Sequence, residues 1–202
     1  VPPPYYEKYV GKMGDEKPYL GDMGYFPHRY PRAAYAGMIS YFDEQVGQLI
    51  GKLKDEGLYE NTLIILTSDN GPTFNGGTQS PWFDSGGPFP SEKGRGKGYV
   101  YEGGIRVPFI ATWPGTIEAG SHSDAITAVW DMMPTFHEIA GIKNPGGIDG
   151  VSLLPVLQGQ TDEVDRKYLY WEFPAYGGQQ AVRMGDWKAI RQNINQGNLD
   201  IE

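Results

Sequence analysis

Ser68-Asp69-Asn70-Gly71-Pro72 directly follows the apolar run Leu63-Ile64-Ile65-Leu66-Thr67. A strand ending there delivers a carboxylate and an amide oxygen, side by side, onto a Gly-Pro turn. Hard divalent cations take oxygen ligands of this kind. Open α/β sheets place ligands at the carboxyl ends of their strands. Asp69 and Asn70 are therefore candidate metal ligands. The competing reading is a plain turn, since Asp-Asn-Gly-Pro is also ideal turn chemistry. Farther along stands Gly96-Lys97-Gly98, followed by Glu102-Gly103-Gly104-Ile105-Arg106-Val107-Pro108. Lys97 can act as a point charge on a phosphate-like or sulfate-like group, with its glycines permitting close approach. Its bland alternative is a solvated loop lysine. Glu102 either orients a neighbouring lysine or pairs with Arg106. A cation site and a glycine-framed lysine together suggest an anionic substrate held on a metal.

Other chemistry is sparse. His28 lies in an aromatic-proline loop, His122 in a polar turn and His137 on a short helix. All three read as structural or surface residues, and no His-x-x-x-His spacing occurs. There is no Gly-x-Ser-x-Gly elbow and no evident nucleophile. Trp82, Phe83, Tyr99 and Tyr101 could line a sugar or aryl pocket, although most aromatic residues here read as core or rim.

The elements that must carry these residues follow from periodicity. Residues 1–30 form an irregular, Pro-, Gly- and Tyr-rich lead-in. Pro31 suits a first helical turn. Tyr35, Met38, Ile39, Phe42, Val46, Leu49, Ile50 and Leu53 recur at helical spacing, and Gly57 is a natural stop. Thr62 to Thr67 predicts a buried parallel strand, and Val107 to Trp113 a second strand. The Gly-, Pro- and Ser-rich stretch 70–98 is a long loop of the kind that is usually either functional or disordered. Asp131 is placed to cap a short helix that has Pro134 in its first turn and stops at Gly141. Ser152 to Leu157 is a short apolar piece. Lys167 to Phe173 alternates as a strand does, and Gly185-Asp186 predicts a tight hairpin between Gln180–Met184 and Trp187–Arg191.

The fold class is thus α/β up to about residue 158, with a small antiparallel unit over 159–202. The 202 residues suffice for one sizeable domain or one and a part, and 39% apolar with 13% aromatic content supports a core. A net charge of −8 argues against nucleic-acid binding. Lys93, Arg95, Lys97 and Arg106 form a local exception that suits a small anion. Cysteine is absent, so neither disulfide nor thiolate chemistry is available. No apolar run has membrane-spanning length.

These segments, taken in order, resemble the type I, formylglycine-dependent sulfatases. The similarity is carried by Thr-Ser-Asp-Asn-Gly-Pro (67–72) and by the run from Gly96-Lys97-Gly98 through Glu102-Gly103-Gly104 to Trp113-Pro114-Gly115. Asp131 to Gly141, Asp149 to Pro155 and Arg183 to Lys188 extend it. Each is weak alone, but their shared order over 31–191 is specific.

The resemblance implies an alkaline-phosphatase-like sheet flanked by helices. It implies that Asp69 and Asn70 ligate a calcium ion and that Lys97 contacts the substrate sulfate as a catalytic and binding residue. The five-residue step to Glu102 selects Lys97 rather than Lys93, and Gly94-Arg95-Gly96-Lys97 departs from the family's Arg-Gly-Gly-Lys, leaving Arg95 without a role. The family's nucleophile, a formylglycine made within Cys/Ser-x-Pro-x-Arg, has no counterpart here. The expectation is therefore a later portion of a sulfatase acting on aryl or carbohydrate sulfates. That portion would be inactive alone and would pair with a missing N-terminal half or with itself. The resemblance further implies a periplasmic or secreted setting. Alternatives are a phosphatase or phosphodiesterase of the same superfamily, or a relative that binds sulfated glycans without cleaving them.

Overall fold

A computed structural model describes residues 1–201. Glu202, the last residue of the expected C-terminal unit, lies outside the described residues. The first element is a short helix, α1 (Pro3–Glu7), inside the lead-in that the sequence reads as irregular. The long helix follows as predicted. It is α2 (Pro31–Asp55), entered through Pro31 and ended at Gly57, which takes φ +69. Only its first two turns are buried, at Pro31, Arg32, Ala33, Ala34 and Gly37. There α1 crosses it so closely that a Cβ on Gly37 would meet Tyr6 Cα at 2.7 Å. Tyr5 donates to Glu44 at 2.8 Å, and the Tyr9 and Ser40 hydroxyls are 2.6 Å apart. Of the predicted apolar stripe, Met38, Ile39, Phe42 and Leu49 are exposed.

The two predicted strands exist as β1 (Ile64–Thr67) and β2 (Phe109–Thr112). The expectation of a buried parallel strand is corrected. β1 pairs antiparallel with β2, Ile64 opposite Thr112 and Thr67 opposite Phe109. In this 2-stranded ribbon Ile64 to Leu66 are half-buried, because among the described residues no third strand flanks it. Between the strands lie the long loop, with a single turn α3 (Ser80–Phe83), and a second turn α4 (Glu102–Ile105).

α5 (Met132–Ile139) runs as predicted, and Gly141 follows it at φ +67. Asp131 is not its side-chain cap. Its carboxylate, wholly buried, turns away from the helix and accepts from the Ala128 and Val151 N–H groups at 2.7 and 3.0 Å. It also meets Arg166 Nη2 at 2.5 Å. The apolar piece is α6 (Leu154–Leu157).

The tail is a 3-stranded antiparallel sheet in the order β3 (Leu169–Phe173), β4 (Gln179–Met184), β5 (Trp187–Gln192). Its hairpin turns at Gly185, φ +55, pairing Met184 with Trp187. Val100 packs with Ala181 and Ile190 in one buried cluster, flanked by Tyr101, Trp171 and Phe173. This cluster seats the tail sheet against the loop that holds Lys97. No helix among the described residues is long and apolar enough to cross a membrane.

Candidate functional site

β1 ends at Thr67, and Asp69 and Asn70 follow at its carboxyl end. Asp69 is exposed, and nothing among the described residues hydrogen-bonds its carboxylate. The turn is shaped locally. Ser68 Oγ donates to the Asn70 carbonyl at 2.8 Å, and Asn70 Nδ2 donates to the Gly71 carbonyl at 2.9 Å. With its amide nitrogen so engaged, Asn70 keeps Oδ1 free as an acceptor.

Two main-chain bonds fasten this turn to the lysine loop. Gly71 N–H donates to the Gly104 carbonyl and Lys97 N–H to the Pro72 carbonyl, each at 2.9 Å. The strands of backbone lie so close that side chains are excluded between them. A Cβ on Gly71 would stand 1.8 Å from the Gly103 oxygen, and one on Gly103 would stand 1.8 Å from the Pro90 oxygen. Glycine at these positions follows from close approach of backbone to backbone. The two sequence segments singled out for chemistry are thus in direct contact.

Lys97 is exposed and makes no ion pair among the described residues. The tail sheet holds its loop from behind. Gln179, 1% exposed at the start of β4, donates from Nε2 to the Gly98 carbonyl at 3.0 Å. Its Oε1 accepts from the Val100 N–H at 3.3 Å. Tyr99 stacks on Tyr176, ring centroids 5.5 Å apart and planes 13° apart.

Glu102 takes both roles offered by the sequence, but the lysine it meets is distant in the chain. Lys188 Nζ donates to Oε1 at 2.7 Å, while Arg183 and Arg106 approach Oε2 at 3.6 and 3.7 Å. Three cations on one carboxylate leave a local surplus of positive charge. Burial pushes the Lys188 ammonium below its ordinary pKa, against the opposing pull of Glu102. Arg95 has a partner after all: it pairs with Glu92 at 3.3 Å and lies over the Tyr101 ring.

The four aromatic residues proposed for a pocket separate. Phe83 packs on Tyr35 and Trp82 lies under Arg32, at the start of α2. Tyr99 and Tyr101 stay beside the lysine loop. Among the histidines, His28 Nδ1 accepts from Tyr30 N–H at 3.0 Å and His137 meets Asn144 at 2.8 Å. Sequence reasoning missed Gln179, Lys188 and Tyr176. A polar residue opening a strand and a tyrosine before Gly177-Gly178 were the available signals. Two open clefts lie away from these residues. One of about 330 Å³ is lined by Asp124, Arg166 and Arg183 among others, and neither it nor its neighbour includes Asp69, Asn70 or Lys97. Among the described residues no group of three His, Cys, Asp or Glu side chains converges as a metal site.

The likeness to solved structures gives these loops, set on a strand end and braced by an antiparallel tail, an alkaline-phosphatase-like α/β fold. The chain belongs to the sulfatase family. The sulfatase family model matches residues 1–142, and that of N-sulphoglucosamine sulphohydrolase, C-terminal, matches residues 94–193. The chain is 35% identical over 161 residues to N-acetylgalactosamine-6-sulfatase of Rattus norvegicus, covering 78% of this chain and 29% of that protein. It is 37% identical over 168 residues to N-acetylglucosamine-6-O-sulfatase of Bacteroides thetaiotaomicron, covering 77% of this chain and 27% of that one. Among solved structures, Ps i-CgsB in complex with k-i-k-neocarrahexaose aligns at TM-score 0.68 and 33% identity, over 81% of this chain and 35% of that one. The chain spans about three-tenths of the length of the curated relatives it matches.

Proposed function

We propose that this chain forms part of an enzyme that hydrolyses the sulfate esters of carbohydrates. The observation that carries this reading is the main-chain clamp between the Asp69-Asn70 turn and the Lys97 loop. It sets two free oxygen donors and one free ammonium on neighbouring, rigidly joined segments. This combination, a hard cation on one side and a positive side chain on the other, suits a tetrahedral anion.

The donor set fits calcium. The Asp69 carboxylate and Asn70 Oδ1 are hard oxygens with no competing protein partner among the described residues. Two oxygens fall short of the six to eight that calcium takes, so further ligands come from outside this pair. The bound ion would draw charge from the sulfate oxygens. Lys97 binds and orients the same group, and Gln179 holds the Lys97 loop in register. The nucleophile, a formylglycine by the family resemblance, is supplied from outside these residues.

The relatives named above for 6-sulfated N-acetylhexosamines support a 6-sulfated amino sugar as the substrate class. A periplasmic or secreted setting, where such glycans are met, accords with this reading. Sulfate release from N-acetylglucosamine 6-sulfate by the intact protein tests it. Lys97→Ala is expected to lower kcat/KM by about a hundredfold or more with no change in Tm, since Lys97 is exposed and unpaired. Asp69→Ala is expected to abolish stoichiometric calcium binding in titration calorimetry. Full activity in the Lys97→Ala protein would refute the assignment.

A further inference from the structure

Tyr176 takes φ +51, a left-handed conformation that bulky residues rarely adopt. The loop that imposes it is fastened on its far side. Asn195 N–H donates to the Gly177 carbonyl at 2.9 Å, and Asn195 Nδ2 donates to the Pro174 carbonyl at 3.1 Å. This arrangement does not bury the side chain: Tyr176 is 61% exposed, and its hydroxyl has no hydrogen-bond partner among the described residues. The ring rests one face against Tyr99 and touches Phe173 at a centroid distance of 5.9 Å. Its Cε2 lies 2.5 Å from the point where a Cβ on Gly98 would stand. Gly98 is the residue after Lys97.

We propose that Tyr176 is a wall of the sugar subsite, packing its open face on the C–H face of the pyranose whose sulfate meets Lys97. Three features point this way together: a strained backbone at a loop tip, an aromatic ring left open to solvent, and contact with the residue beside the sulfate-binding candidate. A residue serving packing alone would gain from burial and would not need the strained conformation. The free hydroxyl adds a donor and acceptor for a sugar hydroxyl. This inference rests on the carbohydrate-sulfatase reading above.

The test uses the intact protein and N-acetylglucosamine 6-sulfate, with inorganic sulfate as competitive inhibitor. Tyr176→Gly removes the ring and also relieves the positive φ, so folding is retained. The expected result is a KM raised roughly fivefold to tenfold, with kcat and inhibition by sulfate unchanged. Tyr176→Phe is expected to raise KM by about threefold, less than Tyr176→Gly, since the stacking face is kept and only the hydroxyl's hydrogen bond is lost. An unchanged KM in Tyr176→Gly, with the wild type active, would overturn the Tyr176 assignment alone. So would weaker sulfate inhibition in step with KM, which would make the ring a prop for the Lys97 loop. A wild type inert toward sulfate esters would overturn the underlying function as well.

Discussion

The carboxamide of Gln179 spans the main chain of the Lys97 loop, donating to Gly98 and accepting from Val100 across about 80 residues of sequence. It acts as a short piece of strand made from a side chain. Gln179→Ala leaves a carbonyl and an N–H unpaired at a buried position, costing about 1–3 kcal/mol. The loss is read from urea unfolding, and a rise in KM accompanies it as Lys97 loses its backing. Gln179→Glu sets an oxygen against the Gly98 carbonyl and is expected to be worse than alanine.

Lys188 gives the molecule an alkaline signature. Its folded-state pKa lies below the usual lysine value, chiefly because burial disfavours the charge, with Arg183 adding to that effect and Glu102 opposing it. The folded state therefore binds fewer protons than the unfolded state between the two pKa values. Stability from this group rises with pH through that window, up to about 10.5. Lys188→Met is expected to flatten the rise, measured as unfolding midpoints between pH 7 and pH 10. A parallel slope in wild type and variant would count against the buried ammonium as its source.

Asp131 and Arg166 form an ion pair with almost no solvent access, the side chains 0% and 10% exposed. Nε and Nη1 of Arg166 are buried without a partner among the described residues, which makes Asp131 its single counter-charge there. Asp131→Asn is expected to cost about 3–5 kcal/mol by stranding the guanidinium. Adding Arg166→Met should recover part of that loss, because the unpaired charge is gone. A double variant less stable than Asp131→Asn would contradict the argument.

Two glycine substitutions should move stability in opposite directions. Gly51 lies inside α2 with nothing within 4 Å of a new Cβ, so Gly51→Ala is expected to gain about 0.5–1 kcal/mol. Gly71→Ala drives a methyl into the Gly103 oxygen at 1.8 Å. Separating those loops is expected to cost about 1–3 kcal/mol or more and to remove activity. Thermal melts of both variants check the pair.

The sequence made legible what depends on neighbours along the chain. Helix α2 with its Pro31 entry and Gly57 stop, the Gly185 hairpin and both short strands were all present in local spacing. The antiparallel pairing of β1 with β2 was not, because an apolar run of four or five residues specifies no partner direction. Asp131 looked like a cap, since its local setting is the same whether it faces its own helix or Arg166. Glu102 meets Lys188 across 86 positions, a contact that single-sequence periodicity does not encode. The candidate site was half visible. Asp69, Asn70 and Lys97 stand in short motifs, whereas Gln179 and Tyr176 reach the same loop only through the packing of the tail.

The joint between the Asp69-Asn70 turn and the lysine loop is backbone against backbone. A joint without side chains asks nothing of the amino acids around it beyond its own glycines. Exposed loop residues such as Lys93 can then be exchanged without disturbing the joint. An evolving lineage can vary such exposed positions by drift, and a randomised library can do so at the bench, while the joint keeps the two segments together.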